Sequence, residues 1–424
     1  MRAVVRASCA AVSACFALAF VACASSDEEL AGAVPPGPDA GPAAIPQESD
    51  DAAAVDATTA DASKDDGDAG RRTCSDDGFC HTELPPDQDL RGVWGDGTGV
   101  VWAVSEDGKI LRWDGSAWSI HTTVAGTAFS AIWGSGPTDI WVAGTGGLMH
   151  GTSADASANG AVTFASVDAP GDRSIVLTSI WGTGPSDVWA VGGTQSTKYP
   201  YPVTGRVVHY TGAPGPDAGA DGADDAGTAS VDGWILEEPS ATPVGYQSIW
   251  GTPNGALWVQ GLTPATPQSS INSAVLRRKP GHTEWEPVTL PPEPGATYGM
   301  YPRSFTAAGA SSDGSIWLVG ITGGFTKAYW HGTSTDGGET YTWSFVARDP
   351  WDLDLFAFWG TGPNDTWAAG DYGRLRHWDG TEWTQAAIMV TSAPVKLPLR
   401  AVWGTSTDDL WAVGDGIALH KKAH

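Results

Sequence analysis

The sequence predicts an all-β fold: a seven-bladed β-propeller of four-stranded blades, closed by an N-terminal strand that completes the last blade. Three observations predict it. A tryptophan-rich unit recurs seven times along the chain, a second hairpin signal follows it, and the two ends carry strand-like runs without partners of their own.

The best copies of the unit are IWGSGPTDIWVAG from Ile132, IWGTGPSDVWAVG from Ile180, FWGTGPNDTWAAG from Phe358 and VWGTSTDDLWAVG from Val402. Looser copies start at Val93 and Ile249, and a seventh, Ala308 to Gly320, lacks the first Trp but keeps Trp317. Each is an apolar run, a Gly/Pro/Asp turn and a second apolar run. Val, Ile and Trp in alternation are the pattern of half-buried strands. Gly and Pro punctuate the turn, where Asp139, Asp187, Asp365 and Asp409 are placed to accept backbone N–H bonds. In a good copy the two Trp are eight residues apart, an even spacing that puts both rings on one ribbon. The residue two before the first Trp is small (Gly92, Ala131, Ser179, Ser248, Ala357, Ala401), as expected where sheets crowd near an axis. Trp133, Trp181, Trp189, Trp367, Trp403 and Trp411 therefore read as packing between blades.

Two further strands follow each unit. In the sixth copy they are Arg374 to Trp378 and Thr381 to Thr384, joined by Asp379-Gly380. Asp-Gly between strand-like runs is a strong hairpin signal, and the first copy repeats it at Asp114-Gly115. Four strands per repeat, with starts about forty to seventy residues apart, fit propeller blades with insertions. At the ends, Gly78 to Pro86 has the pattern of a fourth strand, like Glu284 to Pro292, and Gly416 to Lys422 that of a third. Pairing them closes the ring and removes an open sheet edge.

Residues 1–22 hold Arg2 and Arg6 and then a short apolar run, the pattern of a secretory signal peptide. Phe20-Val21-Ala22 before Cys23 resembles a bacterial lipobox, with Phe20 where Leu is usual. The resemblance implies cleavage before Cys23 and its lipidation; cleavage without a lipid is the other reading. Ala24 is not the Asp that holds some lipoproteins at the inner membrane, so the expected place is the outer membrane, periplasmic or surface-facing. Residues 23–73 are mostly Ala, Asp, Pro, Gly and Ser and read as a disordered acidic tether. On random-coil scaling it spans roughly 40 Å. The propeller is expected over 74–424. Cys74 and Cys80 close a short loop as a disulfide in an oxidising compartment; two thiols alone could also hold a metal, but no His or Cys cluster completes such a site. The net charge of −26 argues against nucleic acid, which needs basic patches.

Insertions are uneven. The turn inside the first hairpin of each copy stays short, whereas the connections between strands two and three, and between blades, grow. These two loop types emerge on one face, and loops on a rigid scaffold are where binding concentrates. The candidate ligand-binding residues are therefore Tyr199, Tyr201, Tyr298, Tyr301, Arg303, Trp351, Asp352 and Asp354. An acidic Gly/Ala/Asp insertion from Gly212 to Asp232 lies on the other face and reads as a solvated loop; it lacks the calcium-loop spacing.

Ser334-Thr335-Asp336-Gly337-Gly338-Glu339-Thr340-Tyr341 resembles the Asp box of sialidases and other BNR-repeat propellers. In those families Ser334, Asp336, Gly338 and Thr340 would shape a turn remote from any active site. The WGxGPxDxWAVG unit resembles repeats of uncharacterised lipoproteins from myxobacteria and related Gram-negative bacteria, which implies fold and envelope location but no activity. No catalytic constellation, phosphate loop, metal spacing or cofactor motif is legible. The expectation is a lipid-anchored, non-catalytic module binding an envelope protein or glycan, without a cofactor. The alternative is a carbohydrate-active enzyme, a glycosidase or lyase of BNR type, whose acids would be Asp172, Asp352 or Asp354.

Overall fold

A computed structural model describes residues 73–154, 161–199, 201–212, 230–264, 272–296 and 300–422. They form seven antiparallel sheets in a closed ring. Blade 1 is Leu90–Gly95, Val101–Ser105, Lys109–Trp113 and Trp118–Thr123. Blade 2 runs from Phe129–Gly136 to Thr163–Val167, blade 3 from Ser179–Gly184 to Trp234–Glu237, and blade 4 from Gly245–Gly251 to Trp285–Pro287. Blade 5 runs from Pro302–Ala310 to Thr342–Ala347, and blade 6 from Leu355–Gly362 to Trp383–Gln385. Blade 7 is Leu399–Ser406, Asp409–Gly414 and Ile417–Lys422, and its outermost strand is Phe79–His81 from the other end of the chain. Phe79 pairs with Lys421 and His81 with Leu419, the closure the sequence predicts. Cys74 and Cys80 are joined as a disulfide just before and within this strand. Blade 3 departs from four strands: Ser230–Val231, counted above with the acidic insertion, adds a fifth by turning back onto Trp234–Glu237.

The core lies between blades, because each sheet has two apolar faces to cover. The buried side chains fall into seven clusters, one per interface between adjacent blades. The two Trp of the repeat take different parts in this. The second is fully buried, as with Trp102, Trp141, Trp189, Trp258 and Trp411. The first lies over the glycine that follows the first Trp of the next blade. A Cβ at Gly134 would sit 2.6 Å from the Trp94 ring, one at Gly182 2.8 Å from Trp133, one at Gly251 2.0 Å from Trp181, and one at Gly95 2.6 Å from Trp403. The Trp-Gly pair is thus one contact read twice: the ring reaches the next blade, and the glycine admits the ring from the previous one. Blade 5 breaks the series. Gly309 stands in the Trp place, opposite Trp317, and Phe358 of blade 6 closes over it.

The turn aspartates differ from expectation in their partners, which are side chains and not backbone N–H groups. Asp187 accepts from the Thr183 hydroxyl, the Trp189 indole (2.8 Å) and His209 Nε2 (2.7 Å). His209 lies directly across from Trp189 and stacks on it, ring centroids 3.8 Å apart. The same Asp–His pair recurs at Asp139–His150, Asp365–His377 and Asp409–His420. Each imidazole is stacked on its blade's second Trp. These histidines look scattered in sequence because loops of unequal length precede them; on the sheets they hold one repeat position. The tetrad is not a hydrolytic triad, since the hydroxyl donates to the carboxylate and not to the imidazole.

Candidate functional site

The connections between strands two and three and between blades share one face, and that face carries most of the exposed large apolar side chains among the described residues. Among the described residues the exposed large hydrophobics are Ile120 and Val346, on outer strands, and Tyr199, Tyr301, Phe325, Trp351, Tyr372, Met389 and Leu397. The latter seven all lie on these connections. Trp351 is 91% exposed and Tyr199 83%. Monomer surfaces scatter single apolar residues at random, so this segregation to one face marks it for contact.

Backbone geometry adds to this. Among the described residues five non-glycine residues have positive φ, and three are aromatics at connections between strands two and three: Tyr201 (56°), Phe325 (66°) and Tyr372 (52°). Blades 1 and 7 end the same connection on a glycine of positive φ, Gly108 and Gly416, and so does blade 6 at Gly373, which makes Tyr372 a second positive-φ residue in its turn. A bulky residue held there costs on the order of 1–3 kcal/mol, and such strain concentrates at functional positions.

The predicted residues are brought together only in part. Tyr199 and Tyr201 pack edge to face, centroids 6.0 Å apart, at the tip of the long hairpin of blade 3. Tyr298 lies outside the described residues, as does Cys23. Arg303 stacks on Phe325 at 4.6 Å, beside Tyr301. Trp351, Asp352 and Asp354 share one loop between blades 5 and 6. Asp352 is buried, and three guanidiniums converge on it: Arg348 at 2.8 Å, Arg376 at 2.9 Å and Arg374 at 3.4 Å. Burial alone would raise Asp352, but Arg348 and Arg376 outweigh it and hold the carboxyl below the usual range. Lys327 Nζ donates to the Asp352 carbonyl and pairs with Asp354 at 3.0 Å. Asp352 is therefore an internal anchor and no ligand contact or proton donor; three convergent arginines exist, but an aspartate of the chain itself fills them. Asp172 accepts the Ser174 N–H at 2.9 Å in a local turn, and this bond and the Ser174 hydroxyl hold it low. The acids named for the enzyme reading thus have structural partners.

Sequence reasoning missed Arg374, Arg376, Phe325 and Tyr372. The two arginines lie on a regular strand, and the two aromatics lie in short turns that a search for long insertions passes over.

The Asp box lies between Lys327–Thr333 and Thr342–Ala347, on the opposite face. Asp336 accepts the Thr340 N–H (3.0 Å) and the hydroxyls of Thr340 (2.5 Å) and Ser334 (2.7 Å), led by Thr340, which hold it well below the usual carboxylate range. Gly338 N–H donates to Ser334 Oγ at 2.9 Å. Arg277 of blade 4 clamps the turn through the carbonyls of Gly338 (3.1 Å) and Glu339 (2.9 Å), and packs over Tyr341. The box acts as a joint between blades 4 and 5. On the loop face, a cleft of 180 Å³ between blades 2 and 3 is lined by Asp168, Arg173 and Arg206. It is smaller than usual small-molecule sites, and Arg206 is engaged with the carbonyls of Ala169 and Pro170. Among the described residues no group of three His, Cys, Asp or Glu is placed to hold a metal ion.

No protein-family signature and no curated protein matches the chain. Solved structures do resemble it. One described as YCF48 bound to D1 peptide is 18% identical, with a TM-score of 0.53 over 82% of this chain and 97% of that one. YCF48 from Cyanidioschyzon merolae is 16% identical, with a TM-score of 0.53 over 81% and 99%. The RRP9 WD40 repeats are 8% identical, with a TM-score of 0.52 over 82% and 98%. At these identities the likeness is one of fold, and the fold is the seven-bladed propeller.

Proposed function

We propose that the chain is a non-catalytic binding module of the cell envelope, anchored by a lipid on Cys23, that holds a protein partner on the loop face of its propeller. The observation that carries this reading is the gathering of seven exposed apolar side chains on that face. They are spread over connections of blades 3 to 7, which suits a broad protein surface better than one sugar ring. That a propeller of the same fold is described with a bound peptide supports the reading only as far as fold goes. The test is capture of envelope proteins by the full chain, beside a glycan array, with Tyr199→Ala, Tyr301→Ala and Trp351→Ala combined. A specific protein lost in the triple variant supports the reading. Binding to a glycan instead replaces the partner class, and capture unaffected by the three changes overturns the choice of face. For the anchor, fatty-acid labelling should vanish in Cys23→Ser; labelling that persists rejects it.

A further inference from the structure

The loops of blades 5 and 6 differ from the rest of the loop face in how charge is disposed about their aromatic residues. The two loops are stitched together: Asp371 N–H donates to the Asp354 carbonyl at 2.9 Å, and Arg374 reaches Asp352. Trp351 precedes Asp352, and Tyr372 follows Asp371, so the two residues lie on the two stitched loops. Trp351 is 91% exposed and Tyr372 63%, and neither ring packs on another aromatic among the described residues. Beneath them the bases are turned inward. The side chains of Arg348, Arg376, Lys327 and Arg374 are 3, 20, 24 and 25% exposed, and all four are engaged by Asp352 or Asp354. The acids are on the rim: Asp349 is exposed, the Asp354 side chain is 46% exposed and Asp371 is half-buried. A partner approaching these loops meets two free aromatic faces among carboxylates, on a chain of net charge −26.

We propose that Trp351 and Tyr372, with Asp349 and Asp371, form a docking site for a Lys or Arg side chain on an extended segment of a partner protein. An indole face is the best aromatic partner for a cation, and a nearby carboxylate adds to the attraction. The rings are held for this use: Tyr372 has φ 52° and ψ 43°, which glycine would adopt without strain. The inference rests on the loop face being the docking surface.

The test pans a random heptapeptide library against the full chain at about 0.5 M salt, which screens diffuse attraction to its net charge. Trp351→Ala, Tyr372→Gly and the pair Asp349→Asn with Asp371→Asn follow. Tyr372→Gly should leave the melting temperature unchanged or raise it, so lost binding in that variant is not lost folding. The expected result is enrichment of Lys- or Arg-bearing peptides whose affinity falls at least tenfold in Trp351→Ala and Tyr372→Gly, and several-fold in the double Asn variant. Cationic peptides that bind these variants equally well overturn the proposal, and so does an unenriched library. Enriched peptides without Lys or Arg that still require Trp351 remove the cationic partner but keep the docking face. Peptides indifferent to every loop change remove both.

Discussion

Blades 3 and 5 contain the same Trp–His stack and surround it differently. In blade 3, Trp189 and His209 share the carboxylate of Asp187, and Thr183 donates to it from four residues upstream. In blade 5, Trp317 and His331 stack at the same 3.8 Å, but Ser315 stands where the aspartate should be. Asp313, two residues earlier, instead accepts from Ser311 and from Ser315 Oγ at 2.6 Å. His331 Nε2 is left buried without a partner. In blade 5 the aromatic pair thus outlasts the carboxylate, whereas in blades 1 and 4 the second Trp faces Arg112 and Arg277 in place of a histidine. A blade can lose its Asp–His pair if its rings still pack and another joint, here the Asp box clamped by Arg277, fastens it to its neighbour.

The largest effect should be common to both blades. Trp189→Ala and Trp317→Ala each empty a site that is almost wholly buried and should cost about 3–5 kcal/mol in urea unfolding. If either costs under about 1 kcal/mol, packing between blades is not the main use of the ring. The carboxylates should separate the blades. Asp187→Ala leaves a hydroxyl, an indole and an imidazole without their acceptor and should cost about 2–3 kcal/mol. Asp313→Ala removes an acceptor from two serines in a turn and should cost about 1 kcal/mol or less. Equal losses would mean that the aspartate two residues earlier does the same work.

Acid should also separate them. Burial pushes His331 down to about 4. Its folded value lies below the unfolded one, near 6.5, so the unfolded chain takes up the proton first. The stability it contributes is present above about pH 6.5 and is lost as pH falls toward 4. His209 behaves oppositely: burial would lower it, but Asp187 and Glu237 outweigh burial and raise it, so its contribution is present below about pH 6.5 and lost as pH rises through the raised value. Asp187, held at about 2 chiefly by His209, loses its contribution only between about pH 4 and 2. His331→Phe keeps a ring on Trp317 and should flatten the fall in stability between about pH 6.5 and 4.5. An unchanged slope would place that sensitivity elsewhere.

The blades were legible because the repeat states its packing twice, in two Trp at fixed spacing with small residues between them. The loop face was legible from unequal connections, which located Trp351 and Tyr199. Whatever depends on register between strands far apart in sequence was not legible. His209 is opposite Trp189 only because an insertion of odd composition closes as a hairpin through Thr194–Thr204 and Gln195–Val203. Asp352 looked like an available acid because nothing local in sequence brings Arg374 and Arg376 to it from the next blade. Phe325 and Tyr372 escaped because their turns are short and nothing local in the sequence announces their positive φ.

The smallest and most specific effect comes from moving the aspartate of blade 5 back. Asp313→Ser with Ser315→Asp would place a carboxylate four residues after Ser311, two before Trp317 and beside His331, the spacing of Thr183, Asp187 and Trp189. The single change Ser315→Asp is not an equivalent test, because Asp313 would face the new carboxylate at hydrogen-bond range and repel it. The double variant should stabilise the fold by about 1 kcal/mol, the worth of a hydrogen bond gained by a buried group that now lacks one. It should also raise His331 from about 4, which a histidine titration followed by NMR would record. A raised His331 with no gain in stability would mean that the backbone of blade 5 has settled around Asp313 and no longer fits the repeat. If His331 stays low, the imidazole does not face the turn, and the difference between the two blades lies in their backbones and not in one displaced carboxylate.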